Sequence, residues 1–157
     1  MEWGWAIGLF AAAIAAILPG MGSAKAVGLA GETAAGVSAE TPEASSKLTL
    51  LQLLPATQGI YGFVIAIVIM AKIGIMGGSG AVGPVDKALR LLAAALPIAL
   101  VGYFSAIAQG KCAAGSMLMV GRRPEMQGKG MMMTAMVGTY AVLALLISFL
   151  CVNAIVL

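Results

Sequence analysis

A short segment in the first half of the chain concentrates groups suited to holding a cation away from water. Leu51 to Phe63 reads LQLLPATQGIYGF, placing a proline, a threonine, a glutamine and a tyrosine inside an otherwise apolar run. Thr57 and Tyr61 are four residues apart and Gln58 and Tyr61 three, so on a helix these side chains share one face. Pro55 has no N–H to offer the carbonyl of Leu51, which it also crowds. Carbonyls near that distortion, including that of Leu54, can then turn toward a ligand. Carbonyl, hydroxyl, amide and phenol oxygens together suit a hard cation such as sodium. Farther along, Gln109, four residues after Ser105, could add an amide oxygen from a neighbouring helix. The plainer alternative is that these amides only hydrogen-bond between helices, each worth roughly 0.6 to 2 kcal/mol in a membrane.

The elements that must position these groups are set by the solvent. Of 157 residues, 61% are apolar and only 10% charged, too little polar surface to cover a globule in water. Uncharged stretches of 22, 24, 20 and 28 residues lie between Glu2 and Lys25, between Lys47 and Lys72, between Arg90 and Lys111, and after Lys129. About 20 apolar residues suffice for a helix to cross the hydrocarbon core. Barrel strands would alternate over about 10 residues, and these runs do not. Backbone groups in lipid must be bonded within their own segment. The expected fold is therefore an all-α membrane protein with four transmembrane helices.

Short connections make the helices two tandem hairpins, residues 1–76 and 87–157, joined by a linker over 77–86 that reads GGSGAVGPVD. The other connections run from Gly36 to Lys47 and from Gly121 to Gln127 and are rich in turn and cap residues. Lys25, Lys47, Lys111, Arg122, Arg123 and Lys129 lie toward the face with these two connections, and Lys72, Lys87 and Arg90 toward the other. The positive-inside rule then leaves both termini outside the cytoplasm. Trp3 and Trp5 fit an outer interfacial anchor. A signal peptide starts with a basic region, and the only early charge is Glu2, so the first segment is expected to be retained. A Pro-Glu pair follows Lys25 and again Lys111, which suggests a duplicated two-helix unit.

The first and third helices are dense in small residues. Gly4 with Gly8, and Ala24 with Gly28, have the spacing that lets helix backbones approach closely. Within one chain this could pack one helix on another, but the density exceeds what one pairwise contact requires and favours self-assembly, with a crowded inner circle of helices from several copies. Other chemistries fail. The chain has no histidine, hence no His-based triad or zinc site. Gly20-Met21-Gly22 and GGSG lack the context and motif of a phosphate loop. Cys112 and Cys151 read as small hydrophobes and the 11 methionines as adaptable packing. A net charge of +3 is too diffuse to suggest nucleic acid.

The segment LLQLLPATQGIYGFVIA, with GSAKAVGLAGETAAG before it and AIAQGK and RRPE after it, resembles the K (or c) subunit of bacterial V-type ATPases over essentially the whole chain. The likeness is strongest to sodium-translocating members. The resemblance implies a multi-pass cell-membrane proteolipid, itself non-catalytic, in a ring of identical subunits. That ring would work with a stator membrane subunit, with central-stalk subunits and with membrane lipids, rotated by ATP hydrolysis in a separate soluble head. It implies Na+ (or H+) as cargo, no covalent cofactor, and ion ligands at the Leu54 carbonyl, Thr57, Gln58, Gln109 and the Tyr61 hydroxyl. One position departs from the pattern. Where the family carries a membrane-embedded glutamate before Thr-Tyr, MVGTYAVLALLI has Gly138. The acidic residues are Glu2, Glu32, Glu40, Glu43, Asp86 and Glu125, none expected at mid-membrane. Three explanations present themselves: an engineered substitution, a natural loss in a ring that no longer pumps or mixes with an intact paralogue, or a different source of charge. The expectation is a chain impaired in tight sodium binding and in transport; the alternative role is a structural, non-conducting ring.

Overall fold

Prolines and short polar turns divide a helical chain into its pieces. The computed structural model describes residues 2–77 and 84–156. Helix α1 covers Glu2–Glu40, and a 3-10 turn at Pro42–Ala44 leads into α2, Ser45–Leu53. A second 3-10 turn at Leu54–Ala56 separates α2 from α3, Thr57–Lys72. Helix α4 covers Val85–Arg122, and after a 3-10 turn at Pro124–Met126 comes α5, Gln127–Ala154. Four spans are long and apolar enough to cross a membrane: Trp3–Glu40, Pro42–Lys72, Val85–Arg122 and Pro124–Ala154. The expected all-helical membrane architecture is the one observed.

The connections are shorter than the sequence suggests. The helix continues past Gly36 to Glu40, and Gly121 is helical. Of the expected linker, residues 78–83 lie outside the described residues, and Val85 and Asp86 already belong to α4.

α1 and α4, with 39 and 38 residues, are each about 57 Å long at ~1.5 Å per residue, nearly twice the hydrocarbon thickness of ~30 Å. Two lysines therefore lie well inside these long helices. Ser23 of α1 accepts the N–H of Gly59 in α3 at 2.9 Å, so Lys25 lies near the level of Gln58 rather than at the end of its helix. Its Nζ is 3.2 Å from the Tyr103 hydroxyl and 5.6 Å from the centre of that ring, a contact that lets a long stem carry charge along an apolar face. Lys111, two residues past Gln109, is at a similar level. Neither lysine ends its helix.

α1 packs along α4, with α3 against α1 and α5 against α4. Glycines permit the α1–α4 approach. A Cβ on Gly22 would fall 2.7 Å from the Tyr103 carbonyl oxygen, and one on Gly110 would fall 2.6 Å from Ala26 Cβ. Gly4 and Gly8 are also buried, whereas Ala24 and Gly28 face outward. α5 turns large side chains outward, among them Met132, Met136, Leu143, Ile147 and Leu150, as a lipid-facing helix should.

Two serine hydroxyls accept backbone N–H groups close to prolines. Gly59, four residues after Pro55, donates to Ser23, and Ile98, immediately after Pro97, donates its N–H to Ser148 Oγ at 3.1 Å. Proline removes a donor and crowds the carbonyl four residues back, and in both places a serine hydroxyl accepts a nearby backbone N–H.

Candidate ion-binding site

Gln58, Ser105 and Gln109 form a buried polar layer between two apolar clusters. On one side lie Ala15, Ile65, Ile69, Leu91 and Ile98 with their neighbours. On the other lie Ala30, Leu48, Leu51, Ala113 and Met117. Burial between them makes an unpaired charge in this layer very costly.

Pro55 sets the geometry on the first hairpin. The 3-10 turn it initiates ends at Thr57, whose Oγ1 donates to the Leu54 carbonyl at 2.9 Å and lies 3.3 Å from Gln58 Oε1. Gln58 is fully buried. Its Nε2 crosses to α4, donating to Gln109 Oε1 at 2.5 Å and to Ser105 Oγ at 3.4 Å. Gln109 Nε2 continues to the Thr134 carbonyl in α5 at 3.0 Å, and Ser105 Oγ donates to the Val137 carbonyl at 3.1 Å.

Position 138 faces this network. An ideal Cβ on Gly138 would lie 2.8 Å from Gln109 Nε2 and 3.4 Å from its Oε1. The amide of Gln109 thus occupies the space a side chain at 138 would enter. The described residues contain no cluster of three or more His, Cys, Asp or Glu able to hold a metal ion. The layer offers oxygens of the type sodium prefers and no charge to balance it.

Leu54, Thr57, Gln58 and Gln109 are therefore brought together, with Gly138 beside them. Tyr61 is not joined to them: it is half-buried, packs against the first apolar cluster, and takes part in none of the described hydrogen bonds. Ser105 and the carbonyls of Thr134 and Val137 belong to the layer and were not assigned to it from sequence. The spacing of Ser105 and Gln109 was a usable signal, but the two carbonyls have none.

Three α4 side chains grip α5 by its backbone. Besides Ser105 and Gln109, Ser116 Oγ donates to the Gly130 carbonyl at 3.2 Å. Every buried side-chain nitrogen and oxygen among the described residues has a partner. Removing one member should therefore leave another unpaired. Gln109→Leu is expected to cost about 1–2 kcal/mol, and Gln58→Leu with Gln109→Leu less than the sum of the two singles. Detergent unfolding of the three variants measures both.

The family model for the ATP synthase C subunit matches the chain twice, over residues 10–69 and 92–151. The chain belongs to this family. Its members are membrane-embedded, non-catalytic ring proteolipids of rotary ATPases, and the four apolar spans agree with that assignment. The chain is 46% identical to the V-type sodium ATPase K subunit of Enterococcus hirae, across 95% of this chain and 92% of that one. It is 36% identical to the A-type ATP synthase K subunit of Methanocaldococcus jannaschii, across 93% of this chain and 62% of that one. Within the family's repeat, the two matched segments bring Pro42-Glu43 into register with Pro124-Glu125, and Thr57 with Thr139. Both threonines bond back to the carbonyl three residues earlier, at 2.9 and 2.7 Å. The residue before each is Ala56 or Gly138, so neither repeat carries an acid there.

Proposed function

We propose that this chain is the rotor-ring K subunit of a V-type, sodium-class ATPase, with an ion site left uncharged by Gly138. The observation that carries this reading is the direction of the Gly138 Cα–Cβ vector, aimed at the amide of Gln109 while that amide bonds Gln58. A carboxylate rooted at 138 would enter beside two amide oxygens, the Thr57 hydroxyl and the Leu54 carbonyl, and would supply the charge that a hard cation needs. Without it, dipoles alone must offset the cost of bringing a bare ion out of water, several kcal/mol even after relaxation. The protomer then assembles and rotates with its neighbours but carries no ion itself. Its partners would be identical copies, a stator membrane subunit, the central-stalk subunits and membrane lipid, with the Arg122–Arg123 connection on the cytoplasmic side.

The test is direct. Purified ring, equilibrated with radioactive sodium, should retain none tightly; tight binding at one ion per chain would refute the proposal.

A further inference from the structure

Gln58 can ligate a cation only through its oxygen, and something must decide which end of its amide faces the site. We propose that Ser105 is the positioning residue that makes this choice. A hydroxyl has one hydrogen to donate and two lone pairs to accept with. The Ser105 hydrogen goes to the Val137 carbonyl at 3.1 Å. Only a lone pair is then left for Gln58, and only the amide nitrogen can use it, at 3.4 Å. Gln109 Oε1 accepts from the same nitrogen at 2.5 Å. With Nε2 held toward α4, Gln58 Oε1 is left on the side of the Thr57 hydroxyl, 3.3 Å away, where the Leu54 carbonyl also lies. The same serine fixes the α5 backbone one residue before Gly138, so a single side chain sets both an amide orientation and the root of the missing acid. Ser105 is 8% exposed and touches no charged group among its described contacts, which suits an orienting role.

This inference rests on the ion-site reading, and its experiment separates the two. Sodium affinity is measured on assembled rings carrying Gly138→Glu, alone and combined with Ser105→Ala or Ser105→Thr. Ser105→Ala should weaken sodium binding by about 10- to 100-fold, the usual effect of losing a group that orients a metal ligand. Ser105→Thr, which keeps the hydroxyl, should recover most of it, and ring assembly should be unchanged in all three. An affinity within about 2-fold of the Gly138→Glu parent after Ser105→Ala would overturn the role of Ser105. If the Gly138→Glu parent binds no sodium, the ion-site reading fails instead. The hold on Gln58 is then read in the unaltered ring by solid-state NMR. Exchange of the Gln58 side-chain amide protons should accelerate about 10-fold in Ser105→Ala and return in Ser105→Thr. Unchanged exchange overturns the inference without reference to any ion.

Discussion

Replacing Gly138 with glutamate should raise the sodium affinity of the assembled ring by at least about 100-fold, the equivalent of roughly 3 kcal/mol for supplying the missing partner of a buried charge. The change has a local consequence that can be seen independently. A Cβ at 138 would stand 2.8 Å from Gln109 Nε2, so the Gln109 amide must swing aside, and its bond to Gln58 must lengthen or exchange. The new carboxylate would then accept from Gln109 Nε2 in place of the Thr134 carbonyl. Titration calorimetry with sodium reads the affinity, and high-resolution imaging of the ring reads the swing. Restored binding with Gln109 unmoved would contradict the geometry; a moved Gln109 with no binding would contradict the function.

Substituting valine at Gly110 should abolish the folded protomer rather than merely weaken it. The first carbon added there would fall 2.7 Å from Ala26 Cα and 2.9 Å from the Ala26 carbonyl oxygen. Backbone atoms of a packed helix cannot rotate away as a side-chain end can, so α1 and α4 must separate along their length. Overpacking usually costs about 1–3 kcal/mol and more where nothing can give; this position should exceed that range. Gly28→Val is the control. A Cβ on Gly28 meets nothing within 4 Å inside the chain, so the protomer should keep its helicity and melting behaviour. Because Gly28 and Ala24 face outward, that variant should instead impair ring assembly in native gels. Loss of helicity in Gly28→Val, or its retention in Gly110→Val, would invalidate the packing described for α1.

Much of this architecture was legible in the sequence because hydrocarbon leaves few options. Gaps between charged residues gave the number of crossings, since any apolar run of that length must be helical in lipid. The same logic does not show that α1 and α4 continue well past Lys25 and Lys111. A lysine that lies against Tyr103 can stand at the level of Gln58, and no local pattern announces a contact across 78 residues. The site was readable where its parts are local. Pro55, Thr57 and Gln58 form one turn and behave as their chemistry dictates. Tyr61 shows the limit of that reasoning, since helical spacing places it on the face of Gln58 without deciding whether its hydroxyl meets the network or its ring meets apolar side chains. The pairing of Gln58 with Gln109 depends on how two hairpins dock.

The grip of Ser105, Gln109 and Ser116 on peptide carbonyls has a consequence for how this outer helix can change over generations. A carbonyl is supplied by every residue alike, so at these three points substitution along α5 does not remove what the neighbouring helix holds; Ser148, which accepts the Ile98 N–H through its side chain, is the exception. Drift can therefore proceed there while the hairpin stays closed, and an acid can be lost at a single codon with no visible damage to folding. Variation across natural relatives should accordingly spare the three donors and Ser148, and fall instead on the outward-facing positions of α5.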